Sequence, residues 1–365
     1  MIRCSKCLLP SSLPRSNFND KGECFWCQTN YPIYKPKGED RLLTLFDTYR
    51  GGRSPQCLVG VSGGKDSAYV LMKIAREFGM KAEAFTYKHS GATEHSLQNA
   101  ARVCENLKVK HHFVSLRESE HLHVFQSFFK VWIKNPNVIS AAMTCVACKH
   151  MHILANELAK SRGIPLVIWA NCPIEDSPFL AINLKSTNPD QQYVREGLMA
   201  GAIRLSKTMI KTPGFTGAFI RHLSLCASGC LALTPAAKYL KFRFPKQRQI
   251  FYFDFCDWNP YTIKQELIQN TDWRPPSDVA DDWHSDCTFH IIKEYMYQKM
   301  VGVSYIDGFL SNQIRREFIS RDEALIKLQS AKRYLANNLE NALISSGLEK
   351  YLPEIDFSCF NKSTI

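Results

Sequence analysis

The segment Val59-Gly60-Val61-Ser62-Gly63-Gly64-Lys65-Asp66-Ser67 constrains this chain more than any other feature. A continuous apolar run at 56–61 (QCLVGV) reads as a buried strand, and it ends in SGGKDS. Helical spacing then starts at once, through Val70, Leu71, Ile74 and Phe78. Ser62, Gly63 and Gly64 let the backbone approach an anion closely and turn its N–H groups toward it. The helix N-terminus adds its dipole. Lys65 adds a full charge, and Ser67 a hydroxyl. The spacing is neither GxxxxGK[ST] nor GxGxxG. A Gly-Gly turn capped by Asp66 would account for the residues one by one, but not for their register between strand and helix.

The pattern around this loop is α/β. Strands are expected at 56–61, 82–87, 111–115 and 164–170, with a late one at 249–255. Helices are expected at 66–79, 94–107 and 147–161. This alternation implies a Rossmann-like parallel sheet with helices on both faces. Ligands of such sheets bind at the carboxyl ends of the strands. Thr86 and Tyr87, at the end of the second strand, are therefore candidates for contact with a base or ribose, and Asn171 follows the fourth strand. The stretch 176–248 is basic, helical in parts and interrupted by Pro178, Pro189, Pro213 and Pro235. After Asp272-Trp273-Arg274-Pro275-Pro276 the chain reads as helical to about 349.

At roughly 150 residues per domain, 365 residues suggest about two domains and a smaller unit. The expected division is 1–35, 40–260 and 261–365, with 40–50 an amphipathic helix. A composition of 45% hydrophobic and 22% charged residues excludes a disordered chain. Apolar runs such as 164–170 fall far short of the roughly 20 residues of a membrane span. With no apolar signal region after Met1, a cytoplasmic location is expected. The net charge of +12 suits a polyanion such as RNA, a nucleotide or a sugar nucleotide, although a solvated basic surface would give the same total.

Residues 1–35 hold Cys4-x-x-Cys7 and Cys24-x-x-Cys27, separated by 16 residues. That spacing is a zinc ribbon's. Four thiolates close a tetrahedron with no open position, so the ion is structural and supplies folding energy that so small a core lacks. There are 14 cysteines in all. Cys57, Cys104 and Cys172 lie in or beside apolar segments and read as small buried hydrophobes. Cys145-x-x-Cys148 precedes a helix, and Cys226 and Cys230 follow later. A CxxC pair plus a distant cysteine suffices for a [4Fe–4S] cluster with one open iron; plain helix entry explains the pair equally well. Cys230 is preferred as third ligand, because Gly229 before it permits a tight turn. His111, His112, His121 and His123 show no ligand spacing and read as structural, as does His150.

SGGKDS resembles the phosphate loop of the PP-loop ATP pyrophosphatase superfamily. The resemblance implies ATP with its pyrophosphate on Ser62, Gly63, Gly64, Lys65, Asp66 and Ser67, with Mg2+ alongside. It also implies a substrate oxygen that is adenylated and then displaced with loss of AMP; Lys65 and Asp66 become the catalytic candidates. The ribbon fused to this loop, with the C-terminal residues Asp272–Pro276, Asp286-Cys287, Gly302, Leu310-Ser311, Ile314-Arg315 and Ile319–Ala324, resembles the N-acetyl sugar amidotransferases of surface-polysaccharide (lipopolysaccharide) biosynthesis. That likeness implies conversion of the acetamido group of a nucleotide-linked sugar to an acetamidino group, with ammonia from a partner glutaminase. The segment 171–183 departs from the Gly-Glu-Asn type expected there. The order of loop, CxxC and later cysteine is also similar to cluster-dependent PP-loop thiolases of tRNA, the alternative reading.

Overall fold

The computed structural model describes residues 2–13, 16–29, 35–52, 55–117, 119–171, 174, 198–232, 238–276 and 285–363. Cys172, most of 171–183 and Pro178, Pro189 and Pro235 lie outside the described residues.

Five strands form one sheet: β1 (Cys57–Gly60), β2 (Ala82–Tyr87), β3 (Lys110–Val114), β4 (Leu166–Trp169) and β5 (Arg248–Phe251). Their order is β3-β2-β1-β4-β5, and every pairing is parallel. The fold is thus Rossmann-like, with the order reversing at β1, where a crevice opens beyond the strand ends. The late strand is shorter than its sequence suggests, because Tyr252–Asp254 turns into a 3-10 segment that buries Tyr252 and Phe253.

β1 is apolar throughout because both of its faces are covered. Val59 faces a core with Leu42 and Phe46 of the helix Glu39–Arg50, Val70 and Leu71 of Lys65–Met72, and Ile263 and Leu267 of Pro260–Asn270. Leu58 faces the other way, onto Ala155 and Ala159 of the helix Met151–Ser161, with Phe85 and Trp169. The edge strand β3 is only partly covered, and its histidines are structural. His112 Nε2 bonds the Glu83 carboxylate at 2.7 Å, and His111 Nε2 meets Thr86 Oγ1 at 2.7 Å.

The C-terminal stretch is helical, as its pattern indicates: Phe289–Val301, Tyr305–Arg315 and Arg321–Ser345. The last begins where the Ser320 hydroxyl accepts from the Glu323 N–H at 3.1 Å, a side-chain cap. These helices share a third core with Phe125, Phe129 and Trp132 of the helix Glu120–Lys134 and with the cysteines of the ribbon. The ribbon is docked rather than tethered. Arg3 pairs with Asp307 at 2.7 Å, the Leu8 N–H donates to Ser311 Oγ at 3.1 Å, and Arg321 Nε donates to the Cys4 and Cys7 carbonyls at 3.3 Å. Among the described residues no helix is long and apolar enough to cross a membrane.

Candidate active site

A cleft of about 360 Å³ opens at the carboxyl ends of β1, β2 and β4. Its floor is the loop Val61–Ser67. Gly63 has φ +91°, and a Cβ there would lie 1.8 Å from the Ser96 carbonyl oxygen, so only glycine fits. The loop is braced from inside. The Ser62 N–H donates to Ser67 Oγ at 3.1 Å, Ser67 Oγ donates to the Gly64 carbonyl at 3.0 Å, and the Gly64 N–H donates to Ser62 Oγ at 3.3 Å. The two serines therefore hold the loop's shape as well as lining the cleft. Lys65 is buried, with its Nζ 3.7 Å from Asp66 Oδ1 and 5.4 Å from the centre of the Trp258 ring.

The other sequence candidates also line this cleft, in differing ways. Thr86 is fully covered, and its hydroxyl donates to the Val61 carbonyl at 2.6 Å, so it fastens β2 to the loop. Tyr87 stacks on His89, with centroids 5.4 Å apart, and its buried hydroxyl has no hydrogen-bond partner. Asn171 is exposed at the rim.

The far wall comes from a segment that sequence reasoning did not place here. Ser285, Asp286 and Cys287 face the loop across the cleft. They are stitched to the start of the helix Glu94–Asn106. The Thr93 N–H donates to the Asp286 carbonyl at 3.2 Å, Thr93 Oγ1 donates to the Ser285 carbonyl at 3.0 Å, and Ala92 bridges Cys287. Farther along, Trp273 Nε1 donates to the Gly63 carbonyl at 2.9 Å, clamping the loop from above. No short motif marks these contacts, because their partners are about 190 residues apart in the chain.

Among the internal cysteines, Cys148 and Cys287 both line the cleft, and Cys148 is hydrogen-bonded to Cys145. Cys230 instead points its sulfur at Met143 Sδ, 4.0 Å away, and Cys226 is packed among Val146, Ala147 and Phe219. The reason lies in the helix Leu223–Ala232. Gly229 sits against the Val146 carbonyl, so the helix docks through its small residue and sends Cys230 aside. His121 is likewise more than a structural residue. It is buried, with Nε2 3.0 Å from Cys148 Sγ and its ring 4.7 Å from that of His89. The hydrogen bond from Cys148 lowers the Cys145 thiol to about 5, while burial raises Cys287 to about 12.

In the ribbon, the sulfurs of Cys4, Cys7, Cys24 and Cys27 all lie within 4.8 Å of one another, and all four residues are buried. The donor set fits one tetrahedral thiophilic ion, with zinc the ion its spacing suggests. The Arg315 guanidinium packs beside Cys7, Cys24 and Cys27 and hydrogen-bonds Cys27, offsetting the charge that four thiolates would carry. Arg315 thus serves the ribbon.

Residues 56–177 match the family model described as the queuosine biosynthesis protein QueC. No curated protein sequence matches the chain. Among solved structures it is similar to an NH3-dependent NAD synthetase from Campylobacter jejuni, at 15% identity over 52% of this chain and 93% of that one, with a TM-score of 0.29. The U34-tRNA thiolase NcsA from Methanococcus maripaludis, described with its [4Fe–4S] cluster, is 14% identical over 98% and 91%, with a TM-score of 0.36. NMN synthetase from Francisella tularensis is 13% identical over 79% and 93%, at 0.35. Likenesses this weak assign no chemistry. The family match spans the phosphate loop and the strands β1, β2, β3 and β4, and supports a PP-loop ATP pyrophosphatase-type domain over residues 56–177.

Proposed function

We propose that the chain is an ATP-dependent, AMP- and pyrophosphate-forming amidotransferase acting on the acetamido group of a nucleotide-linked sugar. The observation that carries the ATP half is the loop itself: a glycine-only turn, a buried lysine and a helix N-terminus converge at the strand ends. ATP would lie with its phosphates along Ser62–Ser67, and Mg2+ would neutralise its oxygens with Asp66 nearby. The acetamido oxygen attacks the α-phosphorus and pyrophosphate leaves. Ammonia from a glutaminase partner then adds to the activated carbon, and AMP departs with the acetyl oxygen, leaving an acetamidino group after proton loss. Lys65 stabilises the charge that builds on the departing pyrophosphate. The ribbon's closed thiolate site takes no part in the chemistry.

A second reading has a specific observation in its favour. Cys148 and Cys287 line the same cleft, with Cys145 beside them, as an enzyme that delivers sulfur to tRNA would require. One experiment separates the two. The chain is supplied with ATP, Mg2+ and either a nucleotide-linked N-acetylhexosamine with ammonium or unmodified tRNA with sulfide. AMP release coupled to replacement of the acetyl oxygen by nitrogen, read by mass spectrometry, supports the first reading. Thiolated tRNA with no sugar product replaces it by the second.

A further inference from the structure

A second cavity, of about 540 Å³, shares no lining residue with the nucleotide cleft. Its volume is that of a small-molecule site. Three elements wall it. The C-terminal half of the helix Glu120–Lys134 supplies Ser127, Lys130 and Lys134. The helix Phe215–Arg221 supplies Arg221 at its end, and the turn that follows the helix Arg321–Ser345 supplies Lys350. The first and third walls are fastened together. Gln126 Nε2 donates to the Ser346 carbonyl at 2.8 Å, and at Gly347, with φ +64°, a Cβ would lie 2.7 Å from that nitrogen. Backbone packing therefore sets the hollow.

Its charge is one-sided. Lys130, Lys134, Arg221 and Lys350 line it, and among the described residues no carboxylate does. None of the four forms an ion pair with a described carboxylate, whereas cations as exposed as these find acids elsewhere on the molecule: Lys37 meets Asp254, Arg243 meets Glu157, and Lys299 meets Asp356. Lys130 and Lys134 stand one turn apart on one helix face, a like-charge spacing that works against the helix. Part of the net charge of +12 is thus gathered in one hollow, where low-dielectric walls focus its field. The Ser127 hydroxyl, 3.0 Å from His222 Nε2, adds a neutral hydrogen-bonding group to the same wall.

We infer that this cavity is a second anion site, for a compact ligand carrying several phosphate charges, separate from the loop Ser62–Ser67. Guanidinium and ammonium groups together suit phosphate oxygens. A phosphate chain also offers more charge in a small volume than carboxylates do. A nucleic-acid backbone asks for a longer stripe of cations than one hollow supplies. The helix Glu120–Lys134 sets the separation from the cleft. Lys130 and Lys134 lie about 14 and 20 Å along it from His121, whose Nε2 touches the cleft residue Cys148.

The test titrates inorganic tripolyphosphate into the full chain already loaded with one equivalent of a non-hydrolysable ATP analogue, by calorimetry at low and high salt. One further molecule should bind, more weakly as salt rises. The double variant Lys130→Gln/Arg221→Gln should lose at least ~10-fold in tripolyphosphate affinity, the scale of deleting charge-assisted contacts, while its affinity for the analogue stays unchanged. Both side chains are exposed, so the variant keeps its fold. Lys65→Ala should still bind tripolyphosphate at this second site. No binding beyond the cleft, or equal binding by wild type and the double variant, would overturn the assignment. Citrate binding as tightly as tripolyphosphate would overturn its phosphate character. A mixed-sequence RNA oligonucleotide that binds more tightly, and loses as much in the double variant, would replace it with a nucleic-acid surface. Neither a sugar nor a tRNA acceptor enters the experiment, so failure of the amidotransferase reading would leave the site intact.

Discussion

Gly63 has two reasons to be glycine, and either would suffice. Its φ of +91° is one that side chains rarely adopt, and the Ser96 carbonyl occupies the place of a Cβ. Gly63→Ala must therefore push the loop away from the helix Glu94–Asn106, at a cost on the order of 1–3 kcal/mol for the strained backbone alone. A lowered unfolding midpoint and lost affinity for an ATP analogue are the expected readings, by thermal melt and calorimetry. Lys65→Ala leaves the fold in place and removes the charge. Pyrophosphate release should fall at least ~10²-fold, the scale of deleting a preorganised charge stabiliser; near wild-type release would refute its role. Trp273 lies outside every motif, yet its indole N–H holds the Gly63 carbonyl. Trp273→Phe should weaken analogue binding while leaving the melt close to wild type, since the ring's apolar packing is retained.

At the scale of elements, the ribbon and the C-terminal helices act as one body. Asp307 is fully buried, caps its own helix through Ser304, and is paired with Arg3 and, at 3.9 Å, with Lys332. Removing one partner from a buried pair typically costs about 3 kcal/mol. Arg3→Ala should therefore lower the unfolding midpoint although it lies outside the cleft. Removing the ribbon's ion with a chelator should expose more than residues 1–35. Hydrogen exchange should quicken in Tyr305–Arg315 too, because Leu8, Arg3 and Arg315 anchor that helix to the ribbon. Exchange confined to the first 35 residues would show the ribbon to be an independent module.

For the molecule as a whole, Glu294 gives stability a pH dependence. It is fully buried, and burial raises its carboxyl to about 8, well above the ordinary carboxylate range. A raised acid binds its proton more tightly when folded, so this contribution is complete below the unfolded value and is lost as pH climbs through about 8. Within that window the loss approaches about 1.4 kcal/mol per pH unit. Glu294→Gln should flatten the fall in denaturation midpoint between pH 5 and 8 (approximate limits set by those two values); an unchanged slope would assign it to other groups. The parallel sheet, the loop and the ribbon were all legible from sequence, because each is encoded over a short span: an apolar run, a strand–SGGKDS–helix register, a pair of CxxC turns. Local chemistry suffices there, since neighbouring residues satisfy one another. The far wall of the cleft was not legible: a bridge across almost two hundred residues brings Cys287 to it, while helix docking through Gly229 turns the Cys230 sulfur toward Met143. The sequence by itself determined the anion-binding loop and the metal-binding ribbon; only tertiary structure decided what faces the loop across the cleft, because that wall is set by long-range packing, which no spacing in the chain records.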